Sequence, residues 1–290
     1  MQKINSEYPL DLRQKALLLL TEPSPLIKAA GTAQLLSDWN KNAIVLDVNA
    51  LLEPTLITQK AIPGHPQKPE LVSPLAVKKR AMDTSEGRAT LIHALAHIEF
   101  NAINLALDAI WRFTNMPAQY YADWLKVASE EAYHFSLLNE HLHALNYEYG
   151  SFSGHNSLWE MVDKTKADVL ARMALVPRTM EARGLDASPS LRNKLVQAGD
   201  KAAANILSII LRDEIGHVAI GNHWYNWLCE QRNLEPVSTY AKLALEYAAP
   251  TLRGPFNIEA RRSAGFSETE LALLQLSSKK PNHAFQPNKI

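Results

Sequence analysis

Residues 130–138 read EEAYHFSLL and residues 213–221 read DEIGHVAIG. Each stretch holds a glutamate and a histidine three apart, Glu131 with His134 and Glu214 with His217. An α-helix turns by about 100° per residue, so each pair lies within about 60° on one helix face and can reach one metal ion. A single Glu-x-x-His pattern arises readily by chance. The upstream carboxylates change its weight: Glu99 precedes Glu131 by 32 residues and Glu181 precedes Glu214 by 33, an approximate internal repeat. Each half then offers a glutamate on one helix and Glu-x-x-His on the next, the ligand arrangement of carboxylate-bridged two-metal helix bundles.

Helical phase tests this independently. Glu99 shares a face with Ala96, Ile103 and Ala106, Glu131 with Val127, Ala128, Phe135 and Leu138, and Glu214 with Leu207, Ile210, Leu211 and Val218. An uncompensated buried carboxylate costs several kcal/mol, so four of them would exceed the roughly 5–15 kcal/mol that stabilises a domain. Metal is the economical partner. Glu181 is placed differently, because Pro177 and Arg178 occupy the preceding turn and Gly184 follows, so a bent helix terminus is expected there. The competing reading pairs these glutamates with Arg112, Arg178 and Arg212.

The neighbours of the motifs divide in two. Glu130 and Asp213 point away from the adjacent glutamates; they are either solvated surface acids or groups that reach the histidine of the opposing motif. His93 and His97 form an i, i+4 pair, but His97 points about 200° from Glu99, so both are read as structural or surface residues. Trp111, Trp124, Tyr121 and Tyr133 are read as packing aromatics.

Outward from the motifs, apolar residues three and four apart predict four long helices over residues 85–114, 117–147, 156–182 and 200–230. A small helix opened by Ser188 and Pro189 precedes the fourth. The fold expected is all-α, a four-helix bundle over residues 85–231 with a long crossover between two helix pairs. Residues 1–84 form an extension packed on it, with a helix at 10–20, short mixed elements at 37–52 and an ordered loop at 53–74, where five prolines argue against regular structure. Residues 232–290 form a carboxyl-terminal helical extension, with helices near 240–248 and 267–276 around a turn at 250–256.

Thirty basic residues balance thirty acidic ones, so no overall field favours nucleic acid or anionic membrane. Apolar residues make up 47% of the chain, enough for a substantial core. The single cysteine, Cys229, rules out an internal disulfide framework, and residues 1–10 lack the apolar run of a secretory signal. With no segment long enough to span a bilayer, a soluble, cytoplasmic protein is expected.

The six residues resemble the ligand set of the ferritin-like superfamily, which includes ferritins, ribonucleotide reductase small subunits, multicomponent monooxygenases and a bacterial tRNA hydroxylase. More closely, HALAHIEFNAINLALD at 93–108, LARMALVPRTMEARGLD at 170–186, LRDEIGHVAIGNHWY at 211–225 and RGPFNIEARRSAGF at 253–266 resemble an uncharacterised bacterial ferritin-like family, domain of unknown function 455. That resemblance implies Glu99, Glu131, His134, Glu181, Glu214 and His217 as ligands of two irons, or of a manganese and iron pair, through which any catalysis runs. It implies no substrate. The function expected is an oxygen-activating oxidase or hydroxylase acting on a small organic molecule or RNA, with dioxygen and an electron donor as partners. Metal handling by ferroxidase, storage or peroxide scavenging is the alternative. A tRNA-modifying hydroxylase is another, with Lys78-Lys79-Arg80, Arg261-Arg262 and Lys279-Lys280 as candidate RNA contacts.

Overall fold

The computed structural model describes residues 11–77 and 80–279. Among them every regular element is a helix, and the only β-type pairings are isolated bridges between Asp11 and Val45 and between Leu71 and Gly154. No helix among the described residues is long and apolar enough to cross a membrane.

Helices α1 (Leu12–Leu20) and α2 (Pro25–Asn40) precede a short α3 (Pro54–Ile57). The α2 helix falls where no long helix was expected, although its start is locally encoded: Ser24 caps the Ile27 N–H and Pro25 takes the first turn. Two buried cations fasten this region to the long helix that follows. Arg13 donates to Ala50 O at 2.7 Å and to Trp111 O at 2.8 Å. Lys28 donates to the carbonyls of Leu20 and Gly64 and to Asn104 Oδ1.

The long helices α4 (Ser85–Arg112) and α5 (Ala118–Ala144) are joined through Asn115 and Pro117 and pack along each other. Such a short join makes them antiparallel neighbours. Thr84 opens α4 by accepting the Gly87 N–H. Helix α1 lies against α4 and α2 against α5. One apolar core runs through these four helices and on into α7 and α9.

The third long helix of the sequence reading is instead broken. It comprises α6 (Ser157–Lys164), α7 (Val169–Leu175), a π-helical segment Val176–Glu181, and α8 (Ala182–Gln197). Pro177 has no N–H to donate, and the Thr179 hydroxyl bonds back to Ala174 O at 2.8 Å, five residues earlier. Gly184 does not end a helix, and Pro189 lies inside α8 instead of opening one. Proline at 189 orphans the Leu185 carbonyl, and the Asn257 amide supplies that carbonyl's donor at 3.2 Å from far along the chain. Helix α7 is tied to α4 by Arg172, which meets the buried Asp108 at 2.6 Å; Arg112 binds the same carboxylate.

Helix α9 (Lys201–Gln231), opened by the Asp200 side chain, packs against α5, α7, the π-helical segment and α8. Gly221 on α9 meets Pro177 so closely that an added Cβ would lie 2.6 Å from the proline Cβ. The chain closes with α10 (Pro236–Glu246), α11 (Ile258–Ser263) and α12 (Glu268–Lys279). A second, smaller core of Ala182, Leu185, Val218, Ala260, Ala264, Phe266 and Leu271 seats α11 and α12 on α8 and α9.

Candidate metal centre

Helix α4 presents Glu99, α5 presents Glu131 and His134, α9 presents Glu214 and His217, and the π-helical segment ends at Glu181. All six side chains are buried. Two groups of donors converge. Ligand atoms of Glu99, Glu131 and His134 lie within 4.8 Å of one another, and so do those of Glu131, Glu214 and His217. Glu131 belongs to both. Its Oε2 is 3.4 Å from His134 Nδ1 and its Oε1 is 2.8 Å from His217 Nδ1. Glu99 Oε2 is 3.3 Å from His134 Nδ1, and Glu214 Oε2 is 3.9 Å from His217 Nδ1. Glu181 falls in neither group, although its charge acts on Glu214 and it feels those of Glu131 and His217.

Apart from their contacts with one another, the inward-facing atoms have no hydrogen-bond partner. They are Glu99 Oε2, both oxygens of Glu131 and of Glu181, Glu214 Oε2, and Nδ1 of His134 and His217. Buried polar atoms are ordinarily satisfied, so this many without a partner beyond the cluster make a group that could hold a metal ion. The arginines offered by the competing reading are engaged elsewhere: Arg112 with Asp108, Arg178 with Asn222 and Glu270, Arg212 with Asp213.

The outward nitrogens behave oppositely. His217 Nε2 lies 2.9 Å from Glu130 Oε2, and His134 Nε2 lies 3.1 Å from Asp213 Oδ2. Each acid therefore reaches across to the histidine of the other motif. An ionised carboxylate can only accept, so the proton of a neutral ring sits on Nε2 and the Nδ1 lone pair faces inward, the tautomer a metal requires. Arg212 holds Asp213 through two contacts, at 2.8 and 2.9 Å, a clamp the sequence reading did not single out.

Without cations, protons keep the peace among these charges. Burial, then the charge of Glu131, pushes the Glu99 and Glu181 carboxyls up to about 8 and lifts Glu214 well above the usual range. Burial is the largest influence on Glu131 and would raise it, but the charge of His217 and hydrogen bonds from His134, His217 and Glu99 together outweigh it and keep this carboxylate ionised. Burial alone would lower both histidines; their carboxylate neighbours reverse that and hold both protonated. Three neutral carboxyls, one carboxylate and two imidazoliums are the state that bound metal would replace, releasing protons.

Other sequence readings resolve here too. His93 and His97 are buried, so the surface option falls: His97 joins Tyr149 OH at 2.8 Å and His155 O at 3.0 Å, and His93 accepts the Gly150 N–H. Trp111, Trp124 and Tyr121 are core, whereas Tyr133 is half exposed. Of the basic clusters, Arg261 is fully buried against Asp186 and is not presented to a phosphate backbone, while Arg262 is committed to Glu259 and Glu268. Lys78, Lys79 and Lys280 lie outside the described residues.

A family model described as "Protein of unknown function (DUF455)" matches residues 21–272, which include all six residues of the cluster together with Glu130 and Asp213. The chain belongs to the DUF455 family. A Haemophilus influenzae protein described as uncharacterized is 51% identical to this DUF455 chain over 225 residues, covering 75% of the chain and 78% of the relative. No solved structure matches.

Proposed function

We propose that this DUF455 protein is a ferritin-like bundle holding two iron ions and using dioxygen to oxidise an organic substrate. The observation that carries the reading is the pair of Glu/His groups sharing Glu131, with the buried inward donors partnered by nothing beyond the cluster and both outward imidazole nitrogens taken by a carboxylate. Glu99 and His134 would hold one ion, Glu214 and His217 the other, with Glu131 shared and Glu181 completing the charge. Four carboxylates balance two divalent ions. Bound iron supplies the redox chemistry with dioxygen, and an external donor supplies electrons.

The chain's own contribution is placement, proton accounting and exclusion of water. Glu130 and Asp213 fix the ring orientation and tautomer of His217 and His134. The buried shell around the cluster, including Phe135, Leu207, Ile210 and Val218, keeps solvent from the centre. Glutamate and histidine donors also suit a manganese and iron pair.

Oxygen uptake by reduced, iron-loaded protein is the test. Consumption that ceases once the bound iron is oxidised and resumes with a chemical reductant supports the oxidase reading. Iron accumulation far above two per chain moves the protein to storage, and oxygen inertness at full iron loading removes the oxidase reading.

A further inference from the structure

Behind the π-helical segment, α10, α12 and the turn near Leu252 flank a half-open cavity of about 270 Å³ that none of the six cluster residues lines. Its walls are apolar, with Val237, Leu252, Phe266 and Leu273 among them, yet Arg178 and Arg261 also line it. Both guanidiniums are buried, and aromatic rings surround them: Tyr225, Tyr240 and Phe266 lie 4.6, 4.9 and 5.1 Å from Arg178, and Phe266 is 5.2 Å from Arg261.

The two arginines are only partly committed. Arg261 gives Nε and Nη2 to Asp186, and Nη2 also to Ala182 O, while its buried Nη1 has no partner among the described residues. Arg178 gives Nε to Asn222 at 2.7 Å and Nη2 to Glu270. Glu270 enters from the first turn of α12, and its second oxygen caps that helix through Ser267. Glu270 is thus a carboxylate from the cavity's lid occupying a place that a carboxylate from solution can take. A buried guanidinium N–H without an acceptor beside it adds a second point of attachment.

We propose that this cavity binds a small amphipathic organic acid, its carboxylate displacing Glu270 at Arg178 and reaching Arg261 Nη1, its apolar body lying against Leu252, Phe266 and Leu273. The volume falls just below the roughly 300–1,000 Å³ of sites for drug-sized ligands, so the ligand is small. The charge selects an anion and the walls select an apolar chain over inorganic phosphate. The cavity also borders the segment that ends at Glu181, because Tyr240 OH is joined to Thr179 Oγ1 at 2.9 Å. The inference does not rest on the metal reading.

Calorimetric titration of the full chain with octanoate tests it, with octanol and inorganic phosphate as comparison probes. Octanoate binds one per chain, while octanol and phosphate bind at least about tenfold more weakly. Ala241→Trp, which fills the cavity from an exposed position on α10, abolishes binding. Glu270→Gln, which keeps the helix cap but removes the competing charge, tightens it by about an order of magnitude. Arg261→Gln abolishes binding if circular dichroism shows it folded; if it does not fold, Ala241→Trp and Glu270→Gln decide. Failure of octanoate to bind the parent chain, equal binding of octanol, preference for phosphate, or indifference to Ala241→Trp each overturns the proposal.

Discussion

Replacing Glu130 by glutamine removes one negative charge while leaving the side chain its size and an oxygen that still accepts the His217 Nε2–H. The charge sits 2.9 Å from that nitrogen. With a metal on Nδ1 the ring is neutral and the carboxylate acts on the ion's charge through it, whereas in the metal-free chain the same carboxylate supports the imidazolium, so its loss there offsets part of the effect. The Glu130 side chain is 30% exposed, so solvent screens its charge, and the retained amide oxygen keeps part of the interaction. The expected net loss is about 1.5–2.5 kcal/mol, or about 10- to 70-fold in affinity for the ion on His217, within the range typical of groups that support metal-bound histidines. Asp213→Asn should act on the ion at His134, and more weakly, because Arg212 already offsets the Asp213 charge. Glu131→Ala removes the carboxylate common to both groups and should abolish two-metal binding while leaving helix content intact. Competition titration against a chromophoric chelator, run on the three variants with manganese or iron, separates these outcomes. The reasoning is refuted if Glu130→Gln strips the chain of metal as completely as Glu131→Ala, or if Glu131→Ala retains two ions.

Two further predictions concern packing away from the cluster and a third its protons. Asp108→Ala leaves Arg172 buried without its counter-charge and should cost about 3–5 kcal/mol in chemical denaturation; an unchanged midpoint would contradict the role assigned to that tie between α4 and α7. Asn257→Ala removes both the donor to the Leu185 carbonyl and the cap of α11, with an expected loss of about 2 kcal/mol read by the same assay. Because Glu99 and Glu181 are raised to about 8, both carry protons at pH 6 and shed them by pH 9. Metal competes with those protons, so affinity should climb with pH through that window and not level off at its upper end, because the imidazoliums of His134 and His217 must also give up protons. Calorimetry in buffers of different ionisation enthalpy should report proton release on binding at pH 7, and a buffer-independent enthalpy would show that no protons are displaced.

The parts of the structure legible in the sequence are those encoded by regular periodicity. The ends of α4, α5 and α9 fall within three residues of expectation because Thr84, Pro117 and Asp200 mark them locally and their apolar faces are continuous. The facing of the two Glu-x-x-His pairs toward the core follows from the same helical phase, whereas the crosswise reach of Glu130 and Asp213 was one of two readings left open, the other being surface acids, and the contacts to His217 and His134 decide it. What escaped depended on partners distant in sequence. Pro189 reads as a helix opener until Asn257 is seen to satisfy the carbonyl it orphans, and the π-helical turn at Pro177 depends on Gly221 giving it room. Arg261 reads as a surface cation until Asp186 takes it inside. The α2 helix was encoded at Ser24 and Pro25, but its apolar residues are spread round the helix with little periodicity, which hid it.

Metal content together with Mössbauer spectra of iron-loaded protein, before and after the reduced form meets oxygen, tests the central claim most directly. The account predicts about two irons per chain and an antiferromagnetically coupled diferric product. One iron or fewer per chain, or iron that stays magnetically uncoupled after oxidation, would contradict it.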